Sequence, residues 1–440
     1  MPIKSNFLNF LFYTFPVFMF ASSGYLNAYI HIFIIYSLFF FYFNKININI
    51  GILDCIIILF FLSCIISSLF NTNLNQMEKF NVGGKKFDLE ISAFTKSIFN
   101  LKFVFLYIIV RNIIDKKLVN IKVLSIICLI CSVFLSFDIF LQHLIGFDIF
   151  NNPPFAGRYN GFFEHEAIAG SYLQKFFLIS IISLFILKNK IFNQFFLIIF
   201  FINILGLGIL LSLDRMPYLI FFFSIIILLI ILKNYRIQLF ISLIMAIFVF
   251  QIFFNNYYLV KNKYISLVGE LELVKISKIF KKDISKSLES SKNINKDDNL
   301  RSGYLKIYNA AFHIFLEGPF LGTGLKSFSY ECNKLTNSNK NFACSTHPHN
   351  IYLEILINQG IFGLILFLIF LVILINKNYL NLIFYQISTE KKLLSIFFFT
   401  ILISELIPIR SYGSIFHTFN GSIFWFFLAI LSSRIHIQNK

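Results

Sequence analysis

Long apolar runs separated by short polar breaks dominate this chain, and few of them show the strict alternation of a half-buried strand. A hydrocarbon core about 30 Å thick needs roughly 20 apolar residues per helix. Runs of that kind fall near 7–24, 26–43, 51–70, 95–111, 119–142, 166–187, 191–212, 216–232, 237–254, 350–375, 393–409 and 415–433. The pattern predicts an all-α polytopic membrane protein with about twelve transmembrane helices. Composition agrees, since 58% of the 440 residues are hydrophobic and only 13% are charged, against about 45–50% apolar in soluble domains. Phe, Ile, Asn and Lys are so abundant that single Lys or Asn residues carry little information. Arg and His carry more.

Lys and Arg concentrate in alternate short loops: Lys45; Arg111, Lys116, Lys117 and Lys122; Lys188 and Lys190; Lys233 and Arg236; Lys377, Lys391 and Lys392; and Arg434. The positive-inside tendency makes that set cytoplasmic. Only 71–97, with Lys79, Lys85, Lys86 and Lys96, runs against it. An even number of spans then puts both termini in the cytoplasm, and the first run reads as a span because further spans follow at once. The expected organisation is 1–254 with nine helices, a large extracytoplasmic loop over 255–349, and 350–440 with three more helices.

Within that loop, "YISLVGELELVKISKIFKK" spaces Leu267, Leu271 and Val274 as an interfacial helix. The tract 284–299 is polar without period and reads as a flexible link. A second amphipathic helix is predicted from Gly303 to Leu316, with Leu305, Tyr308, Phe312 and Phe315 on one face. It ends at "EGPFLGTGLKSF", where Gly318, Pro319, Gly322 and Gly324 impose turns.

Net charge is +17. A basic surface outside the cytoplasm excludes nucleic acid and favours an anionic lipid or phosphate partner; lysine-rich composition on solvated faces is the plainer alternative. Cys55, Cys64, Cys128 and Cys131 fall in apolar runs and read as small hydrophobes. Cys332 and Cys344 lie in the outer loop, where a disulfide is expected. A zinc site from Cys332, Cys344, His347 and His349 is an alternative whose spacing matches no common site.

Two arginines stand at the outer ends of spans: Arg158 in "NNPPFAGRYNGFFEHEAIAGSYL" and Arg215 in "LLSLDRMPYLIF". Either one alone reads as a snorkelling side chain. Together they read as a guanidinium clamp, because planar donors match phosphate oxygens bidentately. His349 lies where the loop returns to the membrane, beside Asn350 and two residues after His347. Histidine exchanges protons near neutral pH, which makes His349 a candidate general base. A structural histidine is the plainer alternative.

The stretch "HPHNIYLEILINQGIFGLILF" resembles the H-x-H-N-x-(Y/F)-L-x-x-L-x-x-x-G-x-x-G-L signature of the O-antigen ligase and polymerase superfamily. "GPFLGTGLKSF" is similar to that family's P-x-x-G-x-G-x-x-x-F turn, and "RYNGFFEHEAIAGSYL" and "LLSLDRMPYL" look like its two arginine-bearing segments. The resemblance implies metal-independent transfer of a glycan from an undecaprenyl-pyrophosphate carrier to an acceptor hydroxyl, in the bacterial inner membrane, with no cofactor. It also implies roles: Arg158, Arg215 and Arg301 on the pyrophosphate, His349 as base, His347 and Asn350 orienting the loop or the acceptor. Glu164, His165 and Glu166 stand where the family often has Asn-Pro, and are the one outer sequence suited to a divalent metal. A ligase acting on lipid A–core is the leading expectation. A polymerase extending a second lipid-linked repeat, or a protein O-oligosaccharyltransferase, are its alternatives. A lipid-linked glycan flippase would show inverted repeats or broken helices, and the sequence displays neither.

This topology predicts opposite outcomes for compartment-sensitive reporters fused at Asn299 and at Lys440. Identical signals at the two positions would overturn it.

Overall fold

The computed structural model describes residues 5–70, 75–82, 85–155, 157–164, 166–186, 194–270, 303–338, 342–384, 389–408 and 410–433. Nearly every element is helical. The first apolar run is broken into α1 (Asn6–Tyr13) and α2 (Phe15–Phe18), with Pro16 at the start of α2. Thr14 sits between them and donates its hydroxyl to the Phe10 carbonyl at 2.8 Å. A proline has no N–H to continue the first helix.

There follow α3 (Ser23–Phe43), α4 (Ile52–Phe70), α5 (Ala93–Asp115), α6 (Ile121–Ile145), α7 (Ala169–Ile186), α8 (Gln194–Leu211), α9 (Arg215–Ile231) and α10 (Arg236–Asn256). Beyond them lie α11 (Tyr258–Glu270), α12 (Gly303–Glu317), α13 (Phe328–Ser338), α14 (Ile351–Phe384), α15 (Thr389–Glu405) and α16 (Thr418–Ser432). Among the described residues, eight helices are long and apolar enough to cross a membrane, and α9 and α16 are shorter apolar helices. The chain is therefore a multi-pass membrane protein. One departure from an all-helical fold is an antiparallel hairpin, β1 (Asn75–Val82) on β2 (Lys85–Ser92), which pairs Phe80 with Phe87 and Lys79 with Asp88. Its signal in the sequence is the Gly83-Gly84 pair between two short alternating runs.

The chain divides into two compact units, one formed by Met1–Leu62, Ile98–Ile252 and Ile365–Lys440, the other by Ser63–Ser97 and Phe253–Leu364. In the first, α7 is the central helix, packing on α6, α8, α9 and α15. Its apolar side chains are buried almost all round, as expected of a helix enclosed by others. Hydroxyls link it to α6, where Ser125 donates to the Ile179 carbonyl at 2.6 Å and Ser132 and Ser180 lie 3.1 Å apart. Small hydroxyl residues of this kind let apolar helices approach closely. Arg111 on α5 is held by both oxygens of Asp54 on α4, at 2.8 and 2.7 Å, and by Asp115 at 2.9 Å.

In the second unit, α12 and α13 enclose a small core of Ala310, Ala311, Ile314, Phe328, Cys332 and Ile357. The predicted helix is present, but it packs through its Ala310–Ala311–Ile314 face. Phe312, which the apolar spacing places inward, is 51% exposed. Alanines admit the neighbouring helix closely, and the bulky side chains Phe312, Leu316 and Phe320 are left outside.

The turn after α12 docks on an interruption in α14. Gly360 has φ 68° and ψ −164°, a conformation essentially confined to glycine. Helical hydrogen bonding fails there and the turn replaces it. Thr323 donates its N–H and its hydroxyl to the Ile357 carbonyl, at 2.7 and 3.1 Å. Ser67 donates to the Asn358 carbonyl at 2.6 Å. In return Ile361 N–H donates to the Pro319 carbonyl at 2.8 Å. The broken helix that the sequence did not display is thus present, at a glycine of the quoted motif.

A Cβ at Gly360 would overlap the Phe320 carbonyl. Gly360→Val should cost at least about 1–3 kcal/mol from backbone strain alone, read as a lowered melting temperature in detergent. Gly24→Ala, where an added Cβ meets nothing within 4 Å, should leave that temperature unchanged.

Candidate functional site

The first half of α14 begins at Asn350, and the reason is local. Asn350 Oδ1 accepts the N–H groups of Tyr352 and Leu353 at 3.0 and 3.1 Å, satisfying two donors at the helix start. Asn350 is buried, so the N-cap is an internal structural element. The residue before it, His349, takes φ 55°, a left-handed conformation that costs a non-glycine residue about 1–3 kcal/mol and clusters at functional sites. Its Nε2 lies 3.0 Å from Ser345 Oγ, and its ring centroid lies 4.1 Å from that of His347. His347 Nδ1 in turn lies 3.0 Å from Thr346 Oγ1. Burial pushes the His349 imidazole below its ordinary pKa, favouring the neutral form that can accept a proton.

This segment is tethered from behind. Cys332 on α13 and Cys344 are joined by a disulfide, one residue before Ser345. Both thiols are consumed by that bond, so neither is available to the zinc alternative. Among the described residues no group of three or more His, Cys, Asp or Glu side chains is placed to hold a metal ion.

The arginine segments lie in the first unit. Phe155 and Arg158 exchange two backbone hydrogen bonds, 3.1 and 3.0 Å, around a turn in which Gly157 has φ 67°. Arg158 then reaches the α8–α9 hairpin, where its guanidinium donates to Asp214 Oδ1 at 2.5 Å. Asp214 directly precedes Arg215, the first residue of α9. One carboxylate therefore joins the two arginine segments. The Arg158 side chain remains 31% exposed, and Arg215 is half-buried. Gly170 at the start of α7 makes room for this hairpin, because a Cβ there would overlap Ser212 and Asp214. Arg301 and His165 lie outside the described residues, and Glu164 and Glu166 are exposed.

Sequence reading passed over two buried polar groups. Glu354, in the first turn of α14, is 4% exposed. In the first unit Gln174, Lys175, Glu405 and Arg410 are all buried together. The Arg410 guanidinium donates to Glu405 Oε1 at 2.8 Å and to Gln174 Oε1 at 2.5 Å. Arg410 follows Pro408 outside the apolar run proper, and only charge at the end of a span marked it.

Residues 196–368 match a protein-family model described as O-antigen ligase. The match takes in Arg215, the loop carrying His347 and His349, and Gly360, and it supports the O-antigen ligase and polymerase superfamily for this chain. No curated protein matches it.

Selectively labelled His349, followed by nuclear magnetic resonance, should titrate below the ordinary value of about 6.5. The fold should then lose stability as pH falls through that value, because the unfolded chain takes up the proton first. A midpoint above about 6.5 would contradict a neutral, buried imidazole.

Proposed function

We propose that this protein moves a glycan from an undecaprenyl-pyrophosphate carrier to an acceptor hydroxyl on the outer face of the bacterial inner membrane, as an O-antigen ligase acting on lipid A–core. The observation that carries the reading is His349, held in a left-handed backbone with its imidazole pKa lowered by burial, inside the matched O-antigen ligase segment. In this proposal about twelve spans leave 255–349 outside and both termini in the cytoplasm. Two short helices of that outer loop, α12 and α13, carry the turn and the disulfide behind the histidine.

The chemistry follows from the groups. His349 takes the proton of the acceptor hydroxyl as its oxygen attacks the anomeric carbon. The bond from that carbon to the pyrophosphate oxygen breaks, and the carrier leaves as its pyrophosphate. Arg158 and Arg215 stabilise the negative charge gathering on that leaving group, with Arg301 assigned to the same task, so cations of the chain do what a divalent ion does elsewhere. Asp214 fixes the Arg158 guanidinium and leaves donors of its planar group for phosphate oxygens. His347 and Asn350 hold the base in place, the first against its ring and the second by capping the helix that follows.

His349→Ala should lower turnover by about 10²–10⁴-fold, the usual worth of a general base, while the protein still binds the carrier-linked donor. His347→Ala should cost less. Arg158→Lys and Arg215→Lys should weaken donor binding, since a point charge cannot reproduce bidentate recognition. An assay of donor consumption with lipid A–core as acceptor reads both effects. Loss of donor binding in His349→Ala with normal turnover at saturation would reverse the assignment.

A further inference from the structure

We propose a second anion-binding group in the first unit, formed by Lys175 and Arg410, that takes a phosphoryl group of the substrate; this rests on the donor reading above. Lys175 is 2% and Arg410 is 4% exposed. Both lie over one ring: the Lys175 ammonium and the Arg410 guanidinium carbon are each 4.7 Å from the centroid of Tyr412. A single carboxylate among the described residues, Glu405, faces these two cations, and Arg410 holds it. Among the described residues the Lys175 ammonium has one hydrogen-bond acceptor, Asn420 Oδ1 at 2.5 Å, for its three donors.

A buried positive charge in excess of its partners is costly in an apolar bundle, and such charges mark functional sites. The bland alternative is a brace tying α7 to α15 and α16. A brace needs no second cation, because Arg410, Glu405 and Gln174 already satisfy one another. Lys175 adds donors that the brace leaves unused. An anion with several acceptor oxygens supplies what is missing.

Position points to the phosphoryl class. Gly170 lies against Asp214 of the arginine hairpin, and Gln174, the partner of Arg410, lies four residues further along α7. Residues so spaced share a helix face, about 6 Å apart along the axis. Gln174, which holds Arg410, therefore lies about one helical turn along α7 from the glycine that packs against Asp214. Lys175 and Arg410 would add their donors to those of Arg158 and Arg215 for the several oxygens of a pyrophosphate.

Lys175→Met, Arg410→Met, Glu405→Gln and Arg215→Ala, in the full-length protein in detergent, should be compared for binding of an isoprenyl pyrophosphate and of inorganic pyrophosphate. Thermal unfolding of each variant checks that it is folded. Lys175→Met and Arg410→Met should weaken the isoprenyl form at least about tenfold, and Glu405→Gln should tighten it, because removing a carboxylate raises the local positive charge. Parallel losses for inorganic pyrophosphate would assign the site to phosphoryl anions in general. Loss confined to the isoprenyl form would assign it to the lipid-borne substrate. Either supports the site. Unchanged binding in folded Lys175→Met, or weaker binding in Glu405→Gln, overturns it and leaves a brace. If Arg215→Ala also binds normally, the donor reading itself fails. If Arg215→Ala loses binding while Lys175→Met keeps it, only this inference fails.

Discussion

Backbone groups in an apolar surrounding must find hydrogen-bond partners within the protein, and the interruption of α14 at Gly360 is where that requirement organises the second unit. Breaking a helix frees carbonyls on one side and N–H groups on the other. Here the freed carbonyls of Ile357 and Asn358 are taken by Thr323 and Ser67, and the Ile361 N–H is taken by Pro319. The turn can approach only because Gly360 has no side chain. Two stretches that look like separate motifs in the sequence, the glycine-rich turn and the histidine-led helix, are one structure joined at this point.

The same economy runs through the first unit, with charge in place of backbone. Asp54 and Asp115 hold Arg111, Asp214 holds Arg158, and Glu405 holds Arg410. Each of these three arginines is matched to an acid supplied from the same helix, its neighbour or the adjoining hairpin. Arg158 is partly exposed beside its carboxylate, which suits a group that orients for an incoming anion. Arg111 is closed on both sides by carboxylates and suits a structural tie.

Much of this was legible in the sequence because it rests on local rules. Apolar length gave the helices, and Gly318, Pro319, Gly322 and Gly324 gave the turn after α12. His349 and the two arginine segments stood out because histidine and arginine are scarce in this chain. What escaped was tertiary. The inward face of α12 is set by Ala310 and Ala311 meeting α13, and a hydrophobicity count favours Phe312 instead. The break at Gly360 went unread although Asn358 and Gln359 interrupt the apolar run just before it, since a polar pair and a glycine also occur inside continuous helices. The hairpin at 75–92 was overlooked among helical signals. Lys175 was passed over because a lysine in so lysine-rich a chain carries little weight until its burial is seen.

The short helix from Ile351 to Gln359 has a further consequence. A helix of that length is unstable by itself, and this one persists because Asn350 caps one end and the turn clasps the other. It behaves as a rigid lever, about 14 Å long, with the histidine at its tip and the Thr323 contact at its root. Geometry at the tip is therefore inherited from the root. A side chain such as Thr323, which touches no reacting group, thereby shares in holding the imidazole, together with Ser345 and the disulfide behind it.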